Sequence, residues 1–202
     1  MTIGFIFECG PQGADKQVCE YLAKVIRPEL PCRSTTLDNK PSLLANAPTA
    51  ARQLLNGGCD CVLIVWDLRP AWPDKASQPC RAAERKTLLD GLAREGLQNE
   101  PVHLVCVEQE LESWLLADEV NLSVYLSTPA HKYKAPSVRR PDQIANPKAL
   151  VMKHFNQARG YRYDDRVHAI KVIQSQGGPK LAKLRRSDSF ARFEAKLKQC
   201  LA

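Results

Sequence analysis

Short apolar runs alternate along this chain with longer stretches in which apolar residues recur every three or four positions. Ile3–Phe7, Cys61–Trp66 and Val102–Val107 are runs of strand length, and the middle one is apolar throughout, as in a strand covered on both faces. Cys32 to Leu37 reads as a shorter second strand. Between them, Val18, Tyr21, Leu22, Val25 and Ile26 fall at helical spacing. A helix is predicted from about Thr49 to Asn56, closed by Gly57-Gly58. Another runs from about Arg81 to Arg94, buries Leu88, Leu89 and Leu92 and stops at Gly96, and a short one covers Gln109 to Ala117. Such alternation predicts an α/β fold: a four-stranded, mainly parallel sheet with helices on both faces.

Beyond Leu126 the pattern changes. Residues 127–147 hold four prolines and many basic residues, the composition of a connecting loop. Three or four helices follow. Asn146-Pro147 starts one by N-cap and first-turn chemistry, with Leu150, Val151, His154 and Phe155 on one side. Asp165 to Ile173 is a second, and Ser187 or Asp188 caps a last one striped by Phe190, Phe193, Leu197 and Leu201. The expected organisation is an α/β core over residues 1–126 and a basic loop and helical C-terminal extension over residues 127–202, packed on the core as one structural unit.

Composition narrows the class. Hydrophobic residues make up 44% and charged residues 25% of 202, the balance of a packed globular protein. No apolar run approaches the roughly 20 residues that span a bilayer. Met1–Glu8 lacks a basic leader and reads as a first strand, so a soluble, cytoplasmic protein without a membrane partner is expected. The eight cysteines include no C-x-x-C pair, and Cys59 and Cys61 would share one strand face. They read as reduced, buried structural thiols rather than a metal site. The four histidines are scattered and receive no ligand role.

Charge is polarised. Residues 1–130 carry 12 Lys and Arg against 17 Asp and Glu, a balance of −5, while residues 131–202 carry 17 against 5, a balance of +12; together these give the net +7. A basic region of this strength is the footprint of a surface for a polyanion such as nucleic acid.

In open parallel α/β sheets, sites form beyond the carboxyl ends of the strands. Here each strand is followed by an acid: Glu8, Asp38, Asp67 and Glu108, with Glu110 and Glu112 close behind. Clustered carboxylates repel one another, and a hard cation such as Mg²⁺ or Mn²⁺ relieves the repulsion. Asp67, Asp74, Glu110 and Glu112 are the candidate ligands, and Glu8 and Asp67 the candidate catalytic acids. Arg69, Lys75 and Arg81 are placed to bind phosphates near the acids, and Lys180, Lys183, Arg185 and Arg186 to grip a nucleic-acid backbone. Trp114, Leu111 and Leu115 read as core.

Glu8-Cys-Gly, Val65-Trp66-Asp67, the string Glu110-Leu-Glu-Ser-Trp-Leu-Leu-Ala-Asp118 and the segment from Pro179-Lys180 to Ser189-Phe190-Ala-Arg-Phe193 together resemble an uncharacterised prokaryotic family with a Toprim-like fold. That fold occurs in topoisomerases, primases and nucleases of the overcoming-lysogenisation-defect type. The resemblance implies that Glu8 is the general acid or base after the first strand and that Asp67 is the first member of an Asp-x-Asp metal pair. The chain departs at the second member, reading Asp67-Leu68-Arg69. Either Asp74, Glu110 or Glu112 replaces that ligand, or metal binding is lost. The expected function is therefore a Mg²⁺-dependent nuclease or related phosphoryl-transfer enzyme. The resemblance also suggests phage defence beside an ATPase partner. The alternative is a catalytically inactive module that binds nucleic acid or a partner protein. Homo-oligomerisation is left open.

Overall fold

The apolar runs form four strands, β1 (Ile3–Phe7), β2 (Cys32–Thr36), β3 (Cys61–Asp67) and β4 (Val102–Val107), all parallel and in the order β2-β1-β3-β4. This computed structural model describes residues 1–70, 78 and 80–201, without the side chain of Gln176. The expected ligand Asp74 and the expected phosphate-binding Lys75 lie outside the described residues. Among the described residues no helix is long and apolar enough to cross a membrane.

The chain forms two compact units. The first comprises Met1–Val107 and Arg192–Ala202, and contains the sheet. Ile6, Val62, Ile64, Trp66 and Cys106 from one sheet face join Leu43, Ala47 and Ala51 of α2 (Lys40–Asn56) and Leu88 and Leu92 of α3 (Arg81–Arg94) in a buried cluster. On the opposite face Phe5 stacks on Phe193, with ring centroids 6.4 Å apart. Helix α1 (Ala14–Ile26) buries Val18, Cys19 and Leu22.

Two sequence readings change in this unit. Helix α2 begins at Lys40 rather than near Thr49, because Asn39 caps it by accepting from the Ser42 N–H at 3.0 Å. Pro48 sits inside it, a residue that normally interrupts a helix. It packs where α3 has Gly91; a Cβ at Gly91 would lie 2.6 Å from Pro48 Cγ, so only glycine permits this approach. The cysteines are also not all buried thiols. Cys61 and Cys200 form a disulfide with Cα atoms 5.6 Å apart, and Cys80 is exposed. Partners 139 residues apart leave no spacing pattern to read.

The second unit is Glu108–Ala191. It holds α4 (Glu112–Ala117), α5 (Glu119–Leu126), α6 (Pro147–Arg159), α7 (Asp165–Ile173) and α8 (Leu181–Leu184). Residues 108–126, grouped with the sheet in the sequence reading, lie here because every residue of α4 is buried and the helix packs on α5, α6, α7 and α8. Helix α5 follows α4 directly, with Asp118 as its N-cap. A last helix, α9 (Asp188–Leu201), supplies Phe193 to the first unit.

Candidate functional site at the carboxyl ends of β1 and β3

Parallel register sets Phe7 beside Val65, so Glu8, one residue beyond β1, comes alongside Trp66 and Asp67 at the end of β3. The chain then turns tightly into α1, with the Gly13 N–H donating to the Gly10 carbonyl at 2.8 Å. A Cβ at Gly13 would fall 2.3 Å from both Cβ and Sγ of Cys9, so the turn that carries Glu8 requires glycine there. The Asp38 carboxylate, which follows β2, reaches the same turn: its Oδ1 lies 3.3 Å from where a Gly10 Cβ would stand.

Glu8 Oε2 is buried and has no hydrogen-bond partner among the described residues. Burial pushes the Glu8 carboxyl up to about 8. The Lys40 ammonium works against that rise, Asp15 and Glu84 add to it, and the Asp67 backbone N–H favours the anion. Burial, then Asp15, and to a smaller degree Asp67, push the neighbouring Cys9 thiol up to about 12. Glu8, Asp15 and Asp67 thus share one electrostatic environment, in which the uncharged form of Glu8 dominates at neutral pH.

A buried ion pair that the sequence reading did not single out borders this cluster. Lys40, 3% exposed, donates to Glu84 Oε1 at 3.2 Å and to the carbonyls of Leu68 and Pro70 at 2.8 and 2.7 Å. Glu84, 6% exposed, accepts from Trp66 Nε1 at 2.8 Å. Lys40 therefore clamps the segment leaving Asp67, which carries the half-buried Arg69. One signal was present: a lysine in the first turn of a helix opposes the helix dipole. Glu84, an ordinary first-turn acid, offered none.

Ligand atoms of three His, Cys, Asp or Glu residues lie within 4.8 Å of one another at only one place among the described residues, Cys61, His103 and Cys200. The acids at the strand ends form no such triad. Glu8 and Asp67 follow neighbouring strands at this edge. Mg²⁺ usually keeps several waters and takes one or two carboxylates together with substrate phosphates, so either carboxyl is a chemically suitable donor.

The expected ligands Glu110 and Glu112 belong to the second unit, where each has a structural use. Glu110 Oε2 accepts from the Lys148 N–H in the first turn of α6 at 3.3 Å. Glu112, 3% exposed, faces the Lys148 ammonium at 3.9 Å. Burial opposes the charge on Lys148, but its bond to Asp165, with Glu112 and Glu110 nearby, raises its pKa overall. Trp114 Nε1 donates to Ser189 Oγ at 2.9 Å, confirming Trp114 as core, and fully buried Asp118 accepts from the N–H groups of Asn121 and Lys180 at 3.2 and 2.8 Å. The string from Glu110 to Asp118 ties α4 and α5 to the rest of the unit.

Residues 12–198 match the family described as Domain of unknown function (DUF4276). The chain belongs to the DUF4276 family. No curated protein and no solved structure matches it. The match in this DUF4276 chain takes in Asp15, Lys40, Asp67, Glu84 and the string from Glu110 to Asp118, while Glu8 precedes it.

The remaining expected phosphate contacts of the DUF4276 chain divide into two kinds. Arg81 opens α3 and is exposed, and Lys180 and Arg185 are exposed in the second unit. Lys183 and Arg186 instead both bond to Glu119, and Arg186 also binds the Ala117 carbonyl and, at 2.8 Å, Ser137 Oγ. Burial opposes the Glu119 anion, but these two cations hold its carboxyl below the usual range. Much of the charge of Lys183 and Arg186 is consequently spent inside the unit.

Proposed function

We propose that this DUF4276 protein is a Toprim-like, divalent-metal-dependent nuclease or related phosphoryl-transfer enzyme acting on nucleic acid in the cytoplasm. The observation that carries the reading is Glu8, a half-buried carboxyl whose Oε2 is shielded from solvent and which is pushed up to about 8, one residue past a strand that pairs in parallel with the strand ending in Asp67. A carboxyl poised near neutrality can both give and take a proton, which is what general acid–base catalysis needs. Glu8 would handle the proton, while Asp67 would hold the ion, Mg²⁺ or Mn²⁺. When bound it supplies a Lewis acid for the phosphoryl oxygen and lowers the pKa of a bound water. Lys40 positions the segment after Asp67 through the Leu68 and Pro70 carbonyls. Exposed Arg81 in the first unit, and exposed Lys180 and Arg185 in the second, are each a surface cation for a polyanion. The resemblance in Glu8-Cys-Gly and Val65-Trp66-Asp67 extends the proposal to phage defence beside an ATPase partner.

One observation favours a second reading. The Lys40 ammonium is already buried among the acids and Arg69 stands two residues after Asp67, so protein cations supply charge that an ion would otherwise bring. In that reading the chain binds nucleic acid or a partner protein without cleaving.

Incubation with single- and double-stranded DNA and RNA plus Mg²⁺ or Mn²⁺ separates the two. The enzyme reading predicts cleavage that falls by about 10²-fold or more in Glu8→Gln and in Asp67→Asn, the scale of a lost acid–base group. Cleavage unchanged in both variants would remove this site from the chemistry. Salt-sensitive binding with no cleavage selects the second reading; each phosphate contact contributes about −0.9 to the slope of log affinity against log salt on duplex DNA.

A further inference from the structure

At the amino-terminal edge of the same sheet, about 20 Å along β3 from Asp67 at ~3.3 Å per residue, three metal-ligating side chains converge. Cys61 opens β3 and His103 is the second residue of β4, paired with Leu63. In a parallel ladder, residues in register point to one face, and Ile3 pairs with Cys61, Phe5 with Leu63, and Leu63 with His103. Phe5, Cys61 and His103 therefore share the face on which Phe5 meets Phe193 of α9. About two turns further along that helix, Cys200 arrives. The two sulfurs and a ring nitrogen of His103 all lie within 4.8 Å of one another.

We propose that Cys61, Cys200 and His103 form a zinc-type metal site whose occupancy is set by the oxidation state of the two cysteines. With the sulfurs joined as a disulfide no thiolate is available. With them reduced, the three side chains supply the Cys₂His donor set of a tetrahedral Zn²⁺ site with one position left open. Tetrahedral geometry at Zn–S distances of about 2.3 Å separates two sulfurs by about 3.8 Å, a spacing that side-chain rotation can reach from Cα atoms 5.6 Å apart. Charge also fits the location. Two thiolates and a neutral imidazole offset the charge of a divalent ion, so a site of which Cys61 is 1% and Cys200 7% exposed carries no net charge. His103 is suited to bind as the neutral ring, because burial, and secondarily Lys196, lower its pKa.

Metal uptake releases two protons from the dithiol. Oxidation by a peroxide reverses it: the two thiolates give up two electrons to form the S–S bond, hydrogen peroxide takes those electrons and two protons to become two waters, and the ion leaves. The site is separate from the acids after β1 and β3, and its outcome does not depend on theirs.

Co²⁺ titration of the full-length protein, reduced with a phosphine, tests the site through the near-ultraviolet thiolate-to-cobalt band. The expected result is one equivalent bound, displaced by Zn²⁺. Treatment with peroxide should abolish the band and renewed reduction restore it. Cys61→Ser and Cys200→Ser should each weaken binding at least 100-fold, and His103→Ala at least tenfold. Absence of the band in the reduced wild type overturns the proposal, as does a band that survives unchanged in the Cys61→Ser/Cys200→Ser double variant or an affinity unchanged in His103→Ala. Should the variants fold poorly, maleimide labelling of the reduced wild type gives the same answer. Zn²⁺ should slow labelling of Cys61 and Cys200 at least tenfold while exposed Cys80 labels at its usual rate, and equal rates with and without Zn²⁺ at Cys61 and Cys200 overturn the assignment.

Discussion

Lys40→Met is expected to lower the stability of the protein by about 3–5 kcal/mol, the usual cost of removing one partner of a buried ion pair. The ammonium has no access to water at 3% exposure, and its loss strands the Glu84 carboxylate, itself 6% exposed. Two carbonyls, Leu68 and Pro70, also lose their donor. Glu84→Leu alone should be costly for the converse reason, leaving a buried ammonium and the Trp66 indole N–H without that carboxylate. Combining both changes should recover a substantial part of the loss, since an apolar pair in place of a buried ion pair is often close to neutral. Urea denaturation of the four proteins gives this cycle directly. Additive losses would mean that the pair does not act as a unit. Because Lys40 restrains the pKa of Glu8, the lysine variant should also shift Glu8 further upward.

The second large effect is a pH dependence. In the unfolded chain Glu8 titrates near 4.5, and in the folded chain near 8. Between these values the unfolded state releases a proton that the native state retains, so the native state loses stability as pH rises. The contribution is fully present below about 4.5 and lost by the time pH passes about 8. At about 1.4 kcal/mol per pKa unit, metal-free wild-type protein should lose about 3–5 kcal/mol relative to Glu8→Gln between pH 5 and pH 9. Thermal or urea unfolding of both proteins in the presence of a chelator measures the difference. Parallel stability profiles would show that Glu8 is not buried as an acid.

How much of this was legible in the sequence depends on how local the cause was. The strands were legible because a central parallel strand is apolar on both faces, and β3 and β4 begin where their runs begin. The amino-terminal half of α2 was hidden by Pro48, whose fit against Gly91 is a property of the packed pair. That Glu8 and Asp67 follow neighbouring strands was legible because a parallel sheet delivers strand ends to one edge. Lys40 and Glu84 were not, since their partnership spans 44 residues and neither residue type signals burial. Glu110 and Glu112 looked like metal ligands because composition cannot tell a carboxylate that binds an ion from one that binds Lys148 or an N–H. Lys183 and Arg186 looked like surface cations for the same reason, although Glu119 lies 64 and 67 residues before them.

The most direct test is Mn²⁺ binding by calorimetry, with the cysteine pair kept oxidised, from about pH 6 to pH 9. If Asp67 holds a divalent ion beside Glu8, one Mn²⁺ binds, its affinity rises with pH below about pH 8 as the neighbouring Glu8 gives up its proton and adds negative charge, and Asp67→Asn abolishes binding. No binding at millimolar Mn²⁺ across the whole range, or binding undiminished in Asp67→Asn, would contradict the account.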